Sequence, residues 1–137
     1  MLILFAPGLF ASIKLHPYQY IYYNSLVGGV NGAARQYELD YWGTSFKEAA
    51  EYLNRNAPKD SQIYIFGPET TFTIYARPDI KVVQDWSNWS EENNSFYFLC
   101  LTRNNEDLRR GACRDGDLVF SVERDNGYLS YIKKYTP

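Results

Sequence analysis

Two acidic residues in an aromatic setting carry the clearest chemical signal in this 137-residue chain. Glu38 and Asp40 are two positions apart, so both carboxylates would point to the same side of an extended backbone. Three aromatic residues flank the pair: Tyr37, Tyr41 and Trp42. Such a carboxylate pair can serve a glycosidase or bind a cation, and its aromatic neighbours are typical of a sugar-binding surface. The alternative is structural: the carboxylates accept hydrogen bonds from Arg35 or from loop amides and fix the loop against the next helix.

A second aromatic pair, Trp86 and Trp89, presents a similar choice. The two rings form either a platform on which a sugar stacks or a cover over the C-terminal edge of a sheet. Asn88 and Asn93 each begin an N-glycosylation sequon, a short pattern that often arises by chance. The candidate substrate-binding residues are therefore Glu38, Asp40, Tyr41, Trp42, Trp86 and Trp89.

Other kinds of chemistry find little support in the sequence. The only His, His16, precedes a Pro, and no G-x-S-x-G motif is present, which disfavours a nucleophilic triad. One His and two Cys match no zinc or iron–sulfur pattern, so we expect no metal ligands and no cofactor in this chain. A formal charge of -2 without a basic stripe argues against a nucleic-acid partner.

The two cysteines allow two interpretations. Cys100 falls in the apolar segment 95–102, a predicted central strand, and Cys113 falls in the loop before the next strand. Neighbouring strands can bring the two sulfurs together as a disulfide in an oxidising compartment. A buried free thiol at Cys100 with an incidental Cys113 fits the sequence equally well.

Periodicity and turn residues predict the elements that would position these side chains. A helix is expected from about Ser45 to Asn56, with a capping box between Ser45 and Glu48 and one apolar face. Strands are predicted within 62–66, 79–84 and 95–102. Short helices are predicted within 67–76, with Pro68 in the first turn, and within 105–113, ending at Gly111. The Asn126-Gly127 pair predicts a hairpin within 117–135.

This order predicts an α/β fold. We expect a small layered sandwich with a mostly parallel (mixed) sheet, flanking helices and a C-terminal β-hairpin, forming a single soluble domain over residues 25–137.

The N-terminal segment has a different character. Residues 1–13 contain no charge, and four tyrosines follow within residues 15–24. The apolar run is shorter than the roughly twenty residues that a helix needs to cross a bilayer. It is therefore the end of a span that begins outside this chain, an interfacial segment, or an ordinary buried helix.

Two sequence blocks carry a resemblance to a known group. The block H-P-Y-x-Y-x-Y-Y-N, residues 16–24, and the block Y-E-x-D-Y-W-G-x-S, residues 37–45, are separated by the pair Gly28-Gly29. In these features the segment 15–54 resembles the region after the last transmembrane helix of polytopic glycosyltransferases related to dolichyl-phosphate-mannose protein mannosyltransferases.

The resemblance implies a location and a division of labour. Residues 1–24 would be the end of a membrane span with its interfacial aromatic segment, and the rest would be a C-terminal domain on the extracytoplasmic side of the cell membrane. The membrane portion of the same polypeptide, the lipid interface and a glycan or acceptor would be the partners. The catalytic acids of such enzymes lie in the membrane portion, so this fragment would be inactive alone and no catalytic residue is assigned to it.

Two rival functions are compatible with these residues. One is a free-standing extracytoplasmic module that binds glycans through Tyr41, Trp42, Trp86 and Trp89. The other is a small hydrolase that uses Glu38 and Asp40. The parent reaction expected from the resemblance is transfer of a sugar from a polyprenyl-phosphate donor to an extracytoplasmic acceptor.

Overall fold

The computed structural model describes residues 6–84, 96–114 and 116–135 of the chain. Its centre is a five-stranded mixed sheet in the order β2-β1-β3-β5-β4. The strands are β1 (Gln62–Phe66), β2 (Lys81–Val82), β3 (Phe96–Leu101), β4 (Asp117–Arg124) and β5 (Gly127–Tyr135). β1 pairs in parallel with both β2 and β3, whereas β5 pairs antiparallel with β3 and β4. The predicted α/β class, mixed sheet and C-terminal hairpin are confirmed.

Six short helices flank the sheet in the described ranges. They are α1 (Ala6–Lys14), α2 (Gly29–Ala33), α3 (Phe46–Asn56), α4 (Glu69–Thr73), α5 (Glu106–Arg109) and α6 (Gly111–Arg114). Three 3₁₀ turns are found at Gln19–Ile21, Ser25–Val27 and Arg103–Asn105. The helix predicted to end at Gly111 instead ends at Arg109, and Gly111 begins the separate turn α6.

The central strand β3 organises two layers of the core because its side chains alternate between the faces of the sheet. Tyr97, Leu99 and Leu101 pack on the side of α3 and α4, beside Phe46 and Phe72. On the opposite face Phe96, Phe98 and Cys100 pack with Cys113 of α6. All six residues of β3 are buried, as expected for a strand covered on both sides.

A third apolar cluster joins the N-terminal part of the chain to the hairpin. Its buried members are Leu15, Tyr18, Ile21, Val30, Ala33, Leu39, Val122 and Leu129. Residues 15–21 thus contribute to the same core as β4 and β5. Within the described ranges, no helix combines the length and the apolar character needed to cross a bilayer.

The hairpin turn lies one residue earlier than the sequence predicts. Arg124 pairs with Gly127, so the loop consists of Asp125 and Asn126, which have φ angles of 50° and 61°. Two consecutive positive φ angles define a type I′ turn, the form whose twist matches that of the flanking strands. Gly127 belongs to β5 instead of the turn.

Candidate functional site

An open groove lies where β1 and β3 end side by side. After β1 the chain passes through α4 to β2, one edge strand of the sheet. After β3 it passes through α5 and α6 to β4, the strand at the opposite edge. Connections that depart in opposite directions from two parallel neighbours leave a crevice at the carboxyl ends of the strands, the usual ligand site of open α/β sheets. The groove has a volume of about 500 Å³ and is lined by Tyr41, Trp42, Phe66, Leu101, Arg103 and Glu106, among others.

Trp42 and Tyr41 form the aromatic wall of this groove. Trp42 is 71% exposed and Tyr41 43% exposed. Their ring centroids are 4.8 Å apart at an angle of 78°, an edge-to-face arrangement. The large exposed surface of Trp42 is available to a ligand.

Arg103 fixes the Tyr41 side of the wall. Its guanidinium carbon lies 3.8 Å from the Tyr41 ring centroid, and its Nη1 donates to the Tyr41 carbonyl at 3.4 Å. Its Nε lies 3.5 Å from Glu38 Oε1, too far for a good hydrogen bond. Within the described part of the chain, this buried Nε–H has no hydrogen-bond acceptor. Because this Nε–H is buried, donation to a ligand in the groove falls to the Nη groups of Arg103, whose side chain is 32% exposed.

Two glycines let the loops that build the groove approach closely. Gly67 follows β1 with φ 151°, and a Cβ there would lie 2.7 Å from Phe46 Cζ. Gly43 has φ 65°, and a Cβ there would lie 2.6 Å from Pro68 Cγ. Both positions combine a positive φ with a close contact, so a larger side chain would push the groove loops apart.

Glu38 and Asp40 have different roles in the structure. The Glu38 side chain is 40% exposed and pairs with Arg103, whereas Asp40 is 1% exposed. Asp40 accepts hydrogen bonds from the Thr44 amide at 2.7 Å and the Ser45 amide at 3.0 Å, and a further one from the Tyr20 hydroxyl. The structure thus places Asp40 as the cap of the loop before α3, whereas Glu38 lies beside the groove.

The predicted capping box is wrong. Ser45 makes no capping hydrogen bond; its hydroxyl bonds to Ser130 Oγ at 2.6 Å. Glu48 accepts instead from the Tyr18 hydroxyl and from Arg124. Asp40 takes over the capping because its left-handed backbone, φ 45°, turns its carboxylate back toward the amides of the following turn.

An ion pair with a fully buried carboxylate braces the helices that follow β3. Arg35 donates to both oxygens of Asp107, at 2.6 and 2.9 Å, and Tyr131 donates to Asp107 Oδ2 at 3.0 Å. The hydrogen bond to Asp107 raises the pKa of Arg35, and burial together with the Asp107 charge raises the pKa of Tyr131. Arg35 thus binds Asp107, whereas the loop amides that the structural alternative also named, those of Thr44 and Ser45, donate to Asp40.

The structure pairs Cys100 with Cys113 in a disulfide. The bond joins β3 to α6. It lies near Asp107 of α5, the partner of Arg35, and so fixes the segment that follows the groove.

Trp86 and Trp89, like Asn88 and Asn93, lie outside the described residues. Across 6–84, 96–114 and 116–135, no group of three or more His, Cys, Asp or Glu side chains is placed to hold a metal ion.

The sequence did not single out Arg103 and Glu106 as site residues, although both line the groove. Their position in the segment that follows the apolar strand β3 was the available signal, because the carboxyl ends of parallel strands carry ligand sites.

Comparisons of the chain with family models, with curated proteins and with solved structures find no match.

Proposed function

We propose that this chain is the non-catalytic C-terminal domain of a membrane glycosyltransferase, located on the extracytoplasmic side of the cell membrane, and that it holds a glycan or acceptor near the active site. The parent enzyme would transfer a sugar from a polyprenyl-phosphate donor to an extracytoplasmic acceptor. The observation that carries the proposal is the exposed Trp42 beside Tyr41 in the groove at the carboxyl ends of β1 and β3.

The chemistry of the groove supports a carbohydrate ligand. Sugars present apolar C–H faces that stack on aromatic rings, and hydroxyls that pair with charged and polar groups. Trp42 and Tyr41 supply the rings, Arg103 supplies a donor and Glu106 an acceptor within the same groove. A free-standing glycan-binding module would use the same groove and is the alternative.

The N-terminal helix supports a location beside a membrane or a membrane portion of the protein. Leu9, Phe10 and Ile13 of α1 are between 67% and 71% exposed. Clustered apolar side chains on a protein surface commonly mark a site that meets a membrane or another protein. In the proposed location this apolar surface meets lipid or the preceding span.

A hydrolase that uses Glu38 and Asp40 is not proposed. Asp40 is buried, and three hydrogen bonds from the protein occupy its carboxylate. A general acid or base must reach the substrate with a free oxygen.

Glycan binding by the full chain tests the proposal. We expect a glycan array to reveal a ligand and titration calorimetry to show that Trp42→Ala weakens its binding about tenfold or more, as truncation of a central Trp commonly does. The matched control is Ile74→Ala, because Ile74 has the same exposed fraction, 71%, and does not line the groove. No binding by the wild type, or equal binding by wild type and Trp42→Ala, would contradict the proposal.

The gene provides the test of the membrane context. A reading frame that continues upstream of Met1 into many apolar spans supports the glycosyltransferase. A reading frame that starts at Met1 supports the free-standing module.

A further inference from the structure

A second cleft adjoins the Trp42 groove. It has a volume of about 590 Å³, and its lining is polar: Arg35, Gln36, Tyr37, Glu38, Asn104 and Arg109 belong to it. Glu106 lines both depressions. The ion pair between Glu38 of the cleft and Arg103 of the groove marks their boundary. A ligand longer than the groove can therefore continue into the cleft.

An exposed aromatic ring stands in this cleft as well. Tyr37 is 51% exposed and stacks on Tyr23, with ring centroids 5.5 Å apart and an interplanar angle of 27°. The Tyr23 hydroxyl donates to the Glu38 carbonyl at 3.0 Å. The stack and this hydrogen bond hold the Tyr37 ring in place before any ligand arrives, which reduces the entropy lost on binding.

Tyr37 and Trp42 are the two ends of one short segment, YELDYW. Glu38 lies between them in the sequence and pairs with Arg103 at the boundary between the two depressions. One loop thus presents two aromatic rings, one to each depression, with a charged pair between them.

The charges of the cleft favour a neutral ligand. Arg35 is paired with Asp107, and the charges of Arg109, Glu38 and Glu106 leave no excess of positive charge for a phosphate or a carboxylate. The amides of Gln36 and Asn104 add both donors and acceptors. This mixture suits hydroxyl groups better than ionic groups.

We propose that the two depressions bind one linear, neutral oligosaccharide, with one sugar on Trp42, a more distant sugar on Tyr37, and the Glu38–Arg103 pair bonded to hydroxyls between them. The inference rests on the proposed glycan binding and adds to it a ligand class and a second contact. Binding affinity must then increase with the length of the oligosaccharide.

Titration calorimetry on the full chain tests this inference with β-1,4-linked gluco-oligosaccharides and manno-oligosaccharides, from monosaccharide to hexasaccharide. The variants are Trp42→Ala, Tyr37→Ala and Asn104→Gly. Asn104 has φ 52°, which Gly adopts freely, so the last variant removes the amide without straining the backbone. Tyr37→Phe keeps the stack on Tyr23 and is the control for folding, which circular dichroism monitors.

We expect the wild type to bind the hexasaccharide at least tenfold more tightly than the disaccharide. Tyr37→Ala should remove about tenfold from hexasaccharide affinity and leave the disaccharide unchanged, Asn104→Gly should act in the same direction with a smaller effect, and Trp42→Ala should weaken both ligands. Disaccharide binding that depends on Trp42 but does not increase with length would overturn this inference and leave the proposed function intact. No binding at any length would overturn both.

Discussion

The guanidinium of Arg103 lies over the ring of Tyr41, 3.8 Å from its centroid, while its Nε faces Glu38. Arg103, two residues beyond the end of β3, thus contacts both the aromatic wall of the groove and the carboxylate beside it. The YELDYW loop has its observed position in part because of this contact.

Replacing Arg103 should therefore affect binding more than stability. Arg103→Met keeps an unbranched apolar stem but removes the cation–π contact and the ion pair, which are together worth about 1 kcal/mol or less in a partly exposed setting. We expect glycan affinity to decrease about fivefold in titration calorimetry. Arg55→Met, in the last turn of α3, is the control. A loss of stability that exceeds the loss of binding would contradict this role.

Asp40 should be the cap that stabilises the start of α3. Asp40→Ala removes the acceptor of two amide hydrogen bonds at a buried site, and we expect a decrease of about 2 kcal/mol in the free energy of unfolding. Asp40→Asn keeps one acceptor and tolerates the left-handed backbone, so its effect should be smaller. Urea denaturation measures both. A larger effect of Ser45→Ala than of Asp40→Ala would restore the capping-box interpretation.

The Arg35–Asp107 pair should be far more important for stability than a surface pair. The Asp107 side chain is 0% exposed, so Arg35→Met leaves a buried carboxylate without its cation and should cost about 3 kcal/mol. Lys81→Met is the matched control, because Lys81 and Asp60 are 3.8 Å apart and both more than half exposed. We expect less than about 1 kcal/mol there. Equal effects in urea denaturation would contradict the proposed importance of burial.

The disulfide should stabilise the segment that follows the groove. Cys100 and Cys113 are 13 residues apart, and the chain-entropy model gives a contribution of about 3 kcal/mol for a loop of this size. We expect the double variant Cys100→Ala, Cys113→Ala to lose about that amount relative to the oxidised wild type. Treating the wild type with reductant is the control and should produce a similar decrease. Two thiols that react with an alkylating reagent in the unfolded, unreduced protein would show that the bond does not form.

Asp79 should contribute stability that disappears in acid. The hydrogen bonds from Arg77 lower the pKa of Asp79 in the folded protein. A group whose folded pKa lies below its unfolded value, about 3.9, stabilises the fold above that pH, and the contribution disappears as the pH decreases through the folded pKa. Asp79→Asn should thus lower stability at pH 7 and have little effect below the folded pKa, as measured by urea denaturation across this range. A difference that is independent of pH would contradict this linkage.

Local sequence signals predicted most of the sheet. The apolar run around Cys100 predicted a strand covered on both faces, and β1 has the predicted boundaries. The two-residue turn was misplaced by one position because Asn-Gly is the commonest type I′ pair, whereas here Asp125-Asn126 adopts the two positive φ angles and Gly127 pairs with Arg124.

The site was less predictable because it depends on contacts distant in sequence. Tyr41 and Trp42 were recognised from their residue types, but their partner Arg103 is some sixty positions away, and only the sheet topology brings it to them. The same applies to Asp107, which binds Arg35 across a similar separation. The capping box failed because Asp40, outside the four-residue pattern, competes successfully for the Ser45 amide.

The strand order affects how the domain is assembled during synthesis. β5 is the last described strand to leave the ribosome, yet it lies between β3 and β4. Until it arrives, β4 lacks its hairpin partner and the β3 edge opposite β1 presents a row of unpaired amides and carbonyls. A chain truncated before residue 127 therefore carries an unpaired strand edge at β3. Such a truncated chain should aggregate, whereas a chain that includes β5 closes the sheet in a single late step.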